Sequence, residues 1–215
     1  MTLIALSASY GAGGSVVGPE LAQRLAVPFV DRAIPTQVAA KLDVPLAHAL
    51  EHDENIGGLL DRMLKHFAPL SGAYVSGDAC EALMGSDVYR EATERVIREH
   101  ARAGRGVILG RACAIVLRDR PDVLRVRLDG PEETRLKQAM RIQGIDRDTA
   151  EERMRQTDRA RDAYVRHFYG VDPRDLSFFH LILDSPALGL DVCVDLIAHA
   201  AESRTRSPVT SRPAT

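Results

Sequence analysis

The chain has 215 residues, 45% of them hydrophobic and 27% charged, with a formal net charge of −2. That length suits one domain with its own core, and the near-neutral balance gives no general pull toward nucleic acid or an anionic membrane. No apolar run approaches the ~18 residues a membrane span needs, and the three scattered cysteines, Cys80, Cys113 and Cys193, form neither a metal pattern nor a disulfide framework, which fits a reducing cytoplasm.

In chain order, residues 2–7 are a short apolar run with no basic leader before it, so a signal peptide is not expected. The run reads as a central parallel strand. It passes into Ser9-Tyr10-Gly11-Ala12-Gly13-Gly14-Ser15 and then a helix from Ser15 to about Leu25, with Pro19 near its first turn. Strand, glycine loop and helix are the layout in which consecutive backbone N–H groups meet a phosphate at a positive helix end. A full nucleotide-binding loop reads G-x-x-x-x-G-K-[ST]. Aligned on Ser15, this chain has Ala8 for the first glycine and Gly14 for the lysine. Ser15 keeps the hydroxyl that would reach Mg²⁺. A plain tight turn joining strand to helix is the alternative.

Residues 27–31 read as a second short strand ending on Asp31, and residues 34–42 as a helix. Residues 48–77 mix amphipathic pieces with Gly57-Gly58 and Pro69 and suggest one or two helices over a cleft. Residues 89–103 have a clear amphipathic helical pattern, broken at 104–106. Residues 107–111 form a buried strand ending on Arg111. Residues 123–128 are a further strand in which Leu124, Val126 and Leu128 alternate with Arg125 and Arg127, so the apolar three should face inward. Charge-rich helices follow over 131–142 and 147–168, then a strand over 180–183 ending at Asp184, a closing helix over 190–201, and a tail over 203–215 whose Ser, Thr, Pro and Arg content suits disorder. The seven histidines make no H-E-x-x-H or similar ligand pair.

Strands alternating with helices predict a parallel sheet flanked by helices. Ligands in such sheets sit at the carboxyl ends of the strands. The glycine loop, Asp31, Arg111 and Asp184 all fall at such ends.

Several segments, in order, resemble the cytidylate kinase-like family. These are Ser-x-x-Tyr-Gly-x-Gly-Gly at 7–14, Val-Pro-Phe-Val-Asp-Arg at 27–32, Val-Ile-Leu-Gly-Arg at 107–111, Asp-Arg-x-Arg-x-x-Tyr at 158–164 with Phe168-Tyr169-Gly170, and Leu-Ile-Leu-Asp-Ser at 181–185. The family is related to nucleoside monophosphate kinases. The resemblance implies a P-loop NTPase-like α/β fold of about five strands in one domain over 1–202, with a helical, arginine-rich lid over about 135–170. It also implies ATP with Mg²⁺ over Gly11, Ala12, Gly13, Gly14 and Ser15, and transfer of a phosphoryl group to a small nucleotide such as CMP or dCMP.

The resemblance further implies an acceptor bound by Asp31, Arg32, Arg111 and Asp184, and lid arginines, Arg159 and Arg161 foremost with Arg153 and Arg155 nearby, that close on the transferring group. A guanidinium fork suits the phosphate task at Arg111. Each residue also has a plainer reading. The lid arginines suit a solvated face laced with ion pairs such as Glu151–Arg155 and Asp162–Arg166. Arg111 suits a structural ion pair, Asp31 a helix cap and Asp184 a turn. Tyr164, Phe168 and Tyr169 suit packing of the lid helix.

Without the lysine, a nucleotide-sensing module that has lost catalysis and a kinase for a non-nucleotide acceptor stay open. Gly14→Lys should raise ATP affinity if the alignment on Ser15 holds.

Overall fold

Strand β1 (Leu3–Ala8) lies at the centre of a five-stranded sheet in the computed structural model, which describes residues 2–31, 87–110 and 112–206. The other strands are β2 (Phe29–Val30), β3 (Gly106–Leu109), β4 (Val123–Asp129) and β5 (Leu181–Asp184). Their order is β2-β3-β1-β4-β5, and every pairing is parallel. The sheet flanked by helices is therefore as the alternation predicted. All five carboxyl ends share one edge. Because β3 lies on one side of β1 and β4 on the other, the crevice favoured for ligands opens beside the end of β1.

Period-two alternation gives the inner strands β1 and β3 two buried faces. Leu3 and Ala5 of β1 join Ile108, Val123 and the α2 residues Val96, Ile97 and Ala101 in one layer; α2 is Asp87–Arg102. Ile4 and Leu6 join Leu124, Val126 and Leu128 in the other layer. There α1 (Gly14–Arg24) supplies Val17 and Leu21, and α7 (Leu190–Arg206) supplies Cys193, Val194 and Ile197. The three apolar β4 residues thus face inward as their spacing required. Arg125 and Arg127, on the opposite face, are not simply in solvent. Segment 173–180 lies over them: Arg125 Nε donates to the Phe178 carbonyl (2.7 Å), and Arg127 Nη1 to that of Pro173 (2.9 Å).

Helices α4 (Glu132–Gln143) and α5 (Arg147–Tyr169) form a hairpin with a small core of their own. Gly144 ends α4 in the left-handed region (φ 65°), where glycine is at home. Asp146 caps α5, accepting from the Thr149 N–H at 2.8 Å. Leu136, Ala150 and Met154 pack together, with Tyr10 of the glycine loop against them. The far end of α5 carries Tyr164 and Phe168, ring centroids 4.8 Å apart, with Tyr169 beside them, so these aromatics pack as the plainer reading had it.

Short helices α3 (Cys113–Val116) and α6 (Ser185–Leu188) have too few residues to show a periodic signal in sequence. Helix α7 runs on to Arg206, past the end its pattern marked and into the first residues of the expected tail. Residues 207–215 and the helices expected over 34–42 and 48–77 lie outside the described residues.

Candidate functional site

The glycine loop leaves the end of β1 with Ser9 N–H donating to the Leu128 carbonyl of β4 (3.1 Å). A turn follows, closed by Ala12 N–H on the Ser9 carbonyl (3.0 Å). Gly11 (φ 77°) and Gly13 (φ 78°) both occupy the left-handed region. Close packing adds a second reason for glycine at each. A Cβ on Gly11 would stand 2.2 Å from the Arg135 carbonyl oxygen, and one on Gly13 would stand 2.4 Å from Leu190. The loop is clasped between the α4–α5 hairpin and the start of α7. Ser185, fully buried, donates its hydroxyl to the Ala12 carbonyl (2.7 Å).

Gly13 is the N-cap of α1 and has no side chain with which to cap it; the first turn carries no acidic residue. The first N–H groups of any helix lack intrahelical partners, and the dipole makes that end positive. Here those amides belong to Gly14 and Ser15, with the Ser15 side chain exposed beside them. An uncapped helix start at the carboxyl end of the central strand is the arrangement that receives an anion.

Three guanidiniums and two carboxylates fasten the loop. Arg161 of α5 donates Nη1 to the Ala8 carbonyl (2.6 Å). Arg135 of α4, nearly buried, donates to the Tyr10 carbonyl (2.7 Å), the Gly130 carbonyl (3.0 Å) and Asp158 (2.9 Å). Asp158 in turn accepts from the Tyr10 N–H at 2.9 Å. Arg127 reaches the Ser9 hydroxyl (3.3 Å) while paired to Asp129 (2.9 Å), which also lies 3.6 Å from Arg135. Gln138 completes the ring, donating to the Gly11 carbonyl (2.9 Å). Burial pushes the Tyr10 phenol up, partly offset by its hydrogen bond to Gln143 and by Arg153 nearby.

The loop and Arg161 are thus brought together, whereas Arg159 of α5 points to solvent. Asp184 accepts from the Ala187 N–H (3.2 Å) and caps α6, so its oxygen serves the turn reading. Asp31 follows β2 at the same sheet edge. Arg32 and Arg111 lie outside the described residues. The expected Asp162–Arg166 pair is present at 3.2 Å. The expected Glu151–Arg155 pair is not: Glu151 takes Arg147 (2.6 Å), and Arg155 takes Glu152. Arg135, Gln138, Ser185 and the clasping role of Asp158 escaped the sequence reading, although Asp158 and Ser185 lie inside motifs quoted above.

Among the described residues no group of three or more His, Cys, Asp or Glu is arranged to hold a metal. Mg²⁺ does not demand one, since it keeps several waters and is held through substrate phosphates and few protein oxygens. The exposed Ser15 hydroxyl beside a bare helix start fits that mode. The Gly14 position does not admit a side chain as the loop stands. A Cβ there would meet the Ala8 Cβ at 2.7 Å and Leu109 Cδ1 at 3.2 Å. A lysine at position 14 would therefore have to displace the Ala8 methyl or the Leu109 side chain.

A family model described as the cytidylate kinase-like family matches residues 3–187. A protein named cytidylate kinase from Methanopyrus kandleri is 29% identical over 117 residues, which is 51% of this chain and 61% of that protein. The chain thus spans about three-fifths of that relative's length. Among solved structures, an uncharacterised protein from Eubacterium ventriosum matches with a TM-score of 0.66 and 20% identity, covering 95% of this chain and all of the other. Shikimate kinase from Acinetobacter baumannii matches at a TM-score of 0.47 and 15% identity, over 98% of this chain and 96% of that one. The parallel five-stranded sheet, the glycine loop after its central strand and the family match together make the fold P-loop NTPase-like.

Proposed function

The chain belongs to the cytidylate kinase-like family, and from that premise we propose that it transfers the γ-phosphoryl group of ATP to a nucleoside monophosphate, CMP or dCMP first among them. The observation that carries this reading is the uncapped start of α1 at the end of the central strand, with lid-helix residues fastened to the loop that leads into it. The amides of Gly14 and Ser15 would hold the donor phosphates, and the Ser15 hydroxyl would hold Mg²⁺. Mg²⁺, when bound, supplies charge neutralisation on the phosphate oxygens. Arg161 is the α5 cation that sits on the loop; Arg159, on the same helix, would reach the site only if the helix turns or lowers. Asp31 and Asp184, at the same sheet edge, are the acceptor side of the proposal, joined by Arg32 and Arg111 on the family resemblance alone. Transfer of this kind depends mainly on placing and neutralising oxygens, which is what a ring of guanidiniums around a rigid loop can do.

The missing lysine specifically favours a second reading, a module that binds nucleotide without turning it over. An ADP-release assay against CMP, dCMP and the other nucleoside monophosphates separates the two. Release that requires CMP or dCMP is the expected result. ATP binding with no release on any acceptor would replace the kinase reading by the sensing one, and release with a non-nucleotide alcohol alone would move the acceptor to another class.

A further inference from the structure

Positions 8 and 14 share the space for one side chain. In the G-x-x-x-x-G-K-[ST] pattern the first position is bare and the seventh carries the lysine. In this chain Ala8 carries a methyl at the first, and Gly14 is bare at the seventh. The methyl fills the space a side chain at position 14 would enter, since a Cβ there would lie 2.7 Å from the Ala8 Cβ. Neither partner yields easily. Ala8 ends the central strand, registered against Leu128 of β4, while Gly14 opens α1 against the partly buried Leu109 side chain. The two departures from the pattern are therefore one structural change, not two. At the same residue, Arg161 of α5 places a guanidinium on the Ala8 carbonyl at 2.6 Å.

We propose that Ala8 and Gly14 form a steric exclusion pair that bars lysine from the loop, and that Arg161 of the lid helix supplies the cation for the phosphates of a bound nucleoside triphosphate in its place. This rests on the nucleotide-binding reading above. A loop lysine travels with the loop and is present whether or not the lid is shut. A cation on α5 is present only while α5 sits on the loop, so triphosphate affinity becomes tied to the docking of the α4–α5 hairpin through Tyr10, Asp158 and Arg135.

The test uses the full chain, titrated calorimetrically with Mg·ATP, with thermal unfolding of each variant measured without ligand. Arg161→Ala should weaken ATP binding by about tenfold or more, as loss of a charge-assisted contact to phosphate ordinarily does. Gly14→Lys should lower the melting temperature and leave affinity no better. Ala8→Gly with Gly14→Lys should recover most of that melting temperature. Adding this pair to Arg161→Ala should restore affinity to within about threefold of the unaltered chain. A Gly14→Lys variant as stable as the unaltered chain would overturn the exclusion pair. Unchanged ATP affinity in Arg161→Ala, or no recovery in the triple variant while its fold is intact, would overturn the substitution of one cation for the other. An unaltered chain that binds no ATP would instead overturn the nucleotide-binding reading itself, and the melting temperatures would still decide the exclusion pair.

Discussion

Along α5 the same residue types serve two different environments. In its first turns Arg147 pairs with Glu133 (2.8 Å) and Glu151 (2.6 Å), and Arg155 with Glu152, all of these side chains about half exposed. One to two turns later Asp158 and Arg161 leave the surface pattern and grip the glycine loop, on the Tyr10 N–H and the Ala8 carbonyl. Exposed pairs of the first kind lose in side-chain entropy and screening most of what they gain in attraction. A carboxylate that satisfies both a main-chain N–H and a nearly buried guanidinium cannot be removed without leaving both short of a partner. A run of alternating charge therefore says little as composition. What each charge faces decides its worth.

The strongest way to break this contrast is Asp158→Ala. It strips the Tyr10 N–H and Arg135 of an acceptor together, and urea unfolding should show a loss of about 2–3 kcal/mol. A loss below about half a kilocalorie would put Asp158 with the surface pairs. Next in size is the split between neighbours on the same helix. Arg161→Ala should cut ATP affinity, and turnover with it, more than Arg159→Ala does; equal effects would erase the distinction between gripped and exposed.

A smaller effect belongs to the other arginine of β4's outer face. Arg125 is taken up by the carbonyls of Phe178 and Arg118, and its own N–H donates to His180 Nδ1 (3.1 Å). Partial burial, with Arg125 and Arg204 nearby, draws His180 down to about 4. The unfolded chain then binds a proton that the folded chain refuses between about pH 6.5 and 4. Stability should fall as pH falls through that window, and His180→Asn, which keeps an acceptor without the titration, should flatten the fall. A slope identical in the variant would assign the acid sensitivity elsewhere. ATP affinity, measured where both chains are folded, should not differ between them, since this cluster serves the sheet and not the loop. Smallest of all, Arg155→Ala should change stability by less than about 0.5 kcal/mol and leave ATP affinity alone.

The sheet was legible because parallel strands announce themselves as short apolar runs between helical periods, and β1, β3 and β4 do so without ambiguity. The glycine loop was legible because a glycine run between an apolar strand and a helical period marks a tight turn. The clasp was not. Arg135 and Gln138, three apart on α4, look like any polar helix face, and only the approach of the loop to that face, 2.2 Å from a would-be Cβ on Gly11, turns them inward. Asp158 could be quoted as part of a motif but not given its task, because its partner lies 148 residues earlier in the chain. Arg155 was mispaired because i,i+3 and i,i+4 partners compete on a helix and sequence does not choose between them. The Ala8–Gly14 relation was visible as two departures from one pattern, and only the Cβ geometry makes them a single event.

The proposed kinase function depends on the first amides of α1 receiving phosphate. Backbone amide resonances of the ¹⁵N-labelled full chain, followed during titration with a non-hydrolysable Mg·ATP analogue, test this directly. The largest shifts should fall on Gly11, Gly13, Gly14 and Ser15, with the Arg161 side-chain resonance moving at the same analogue concentration. Saturable shifts centred elsewhere on the chain, with those four amides still, would contradict it.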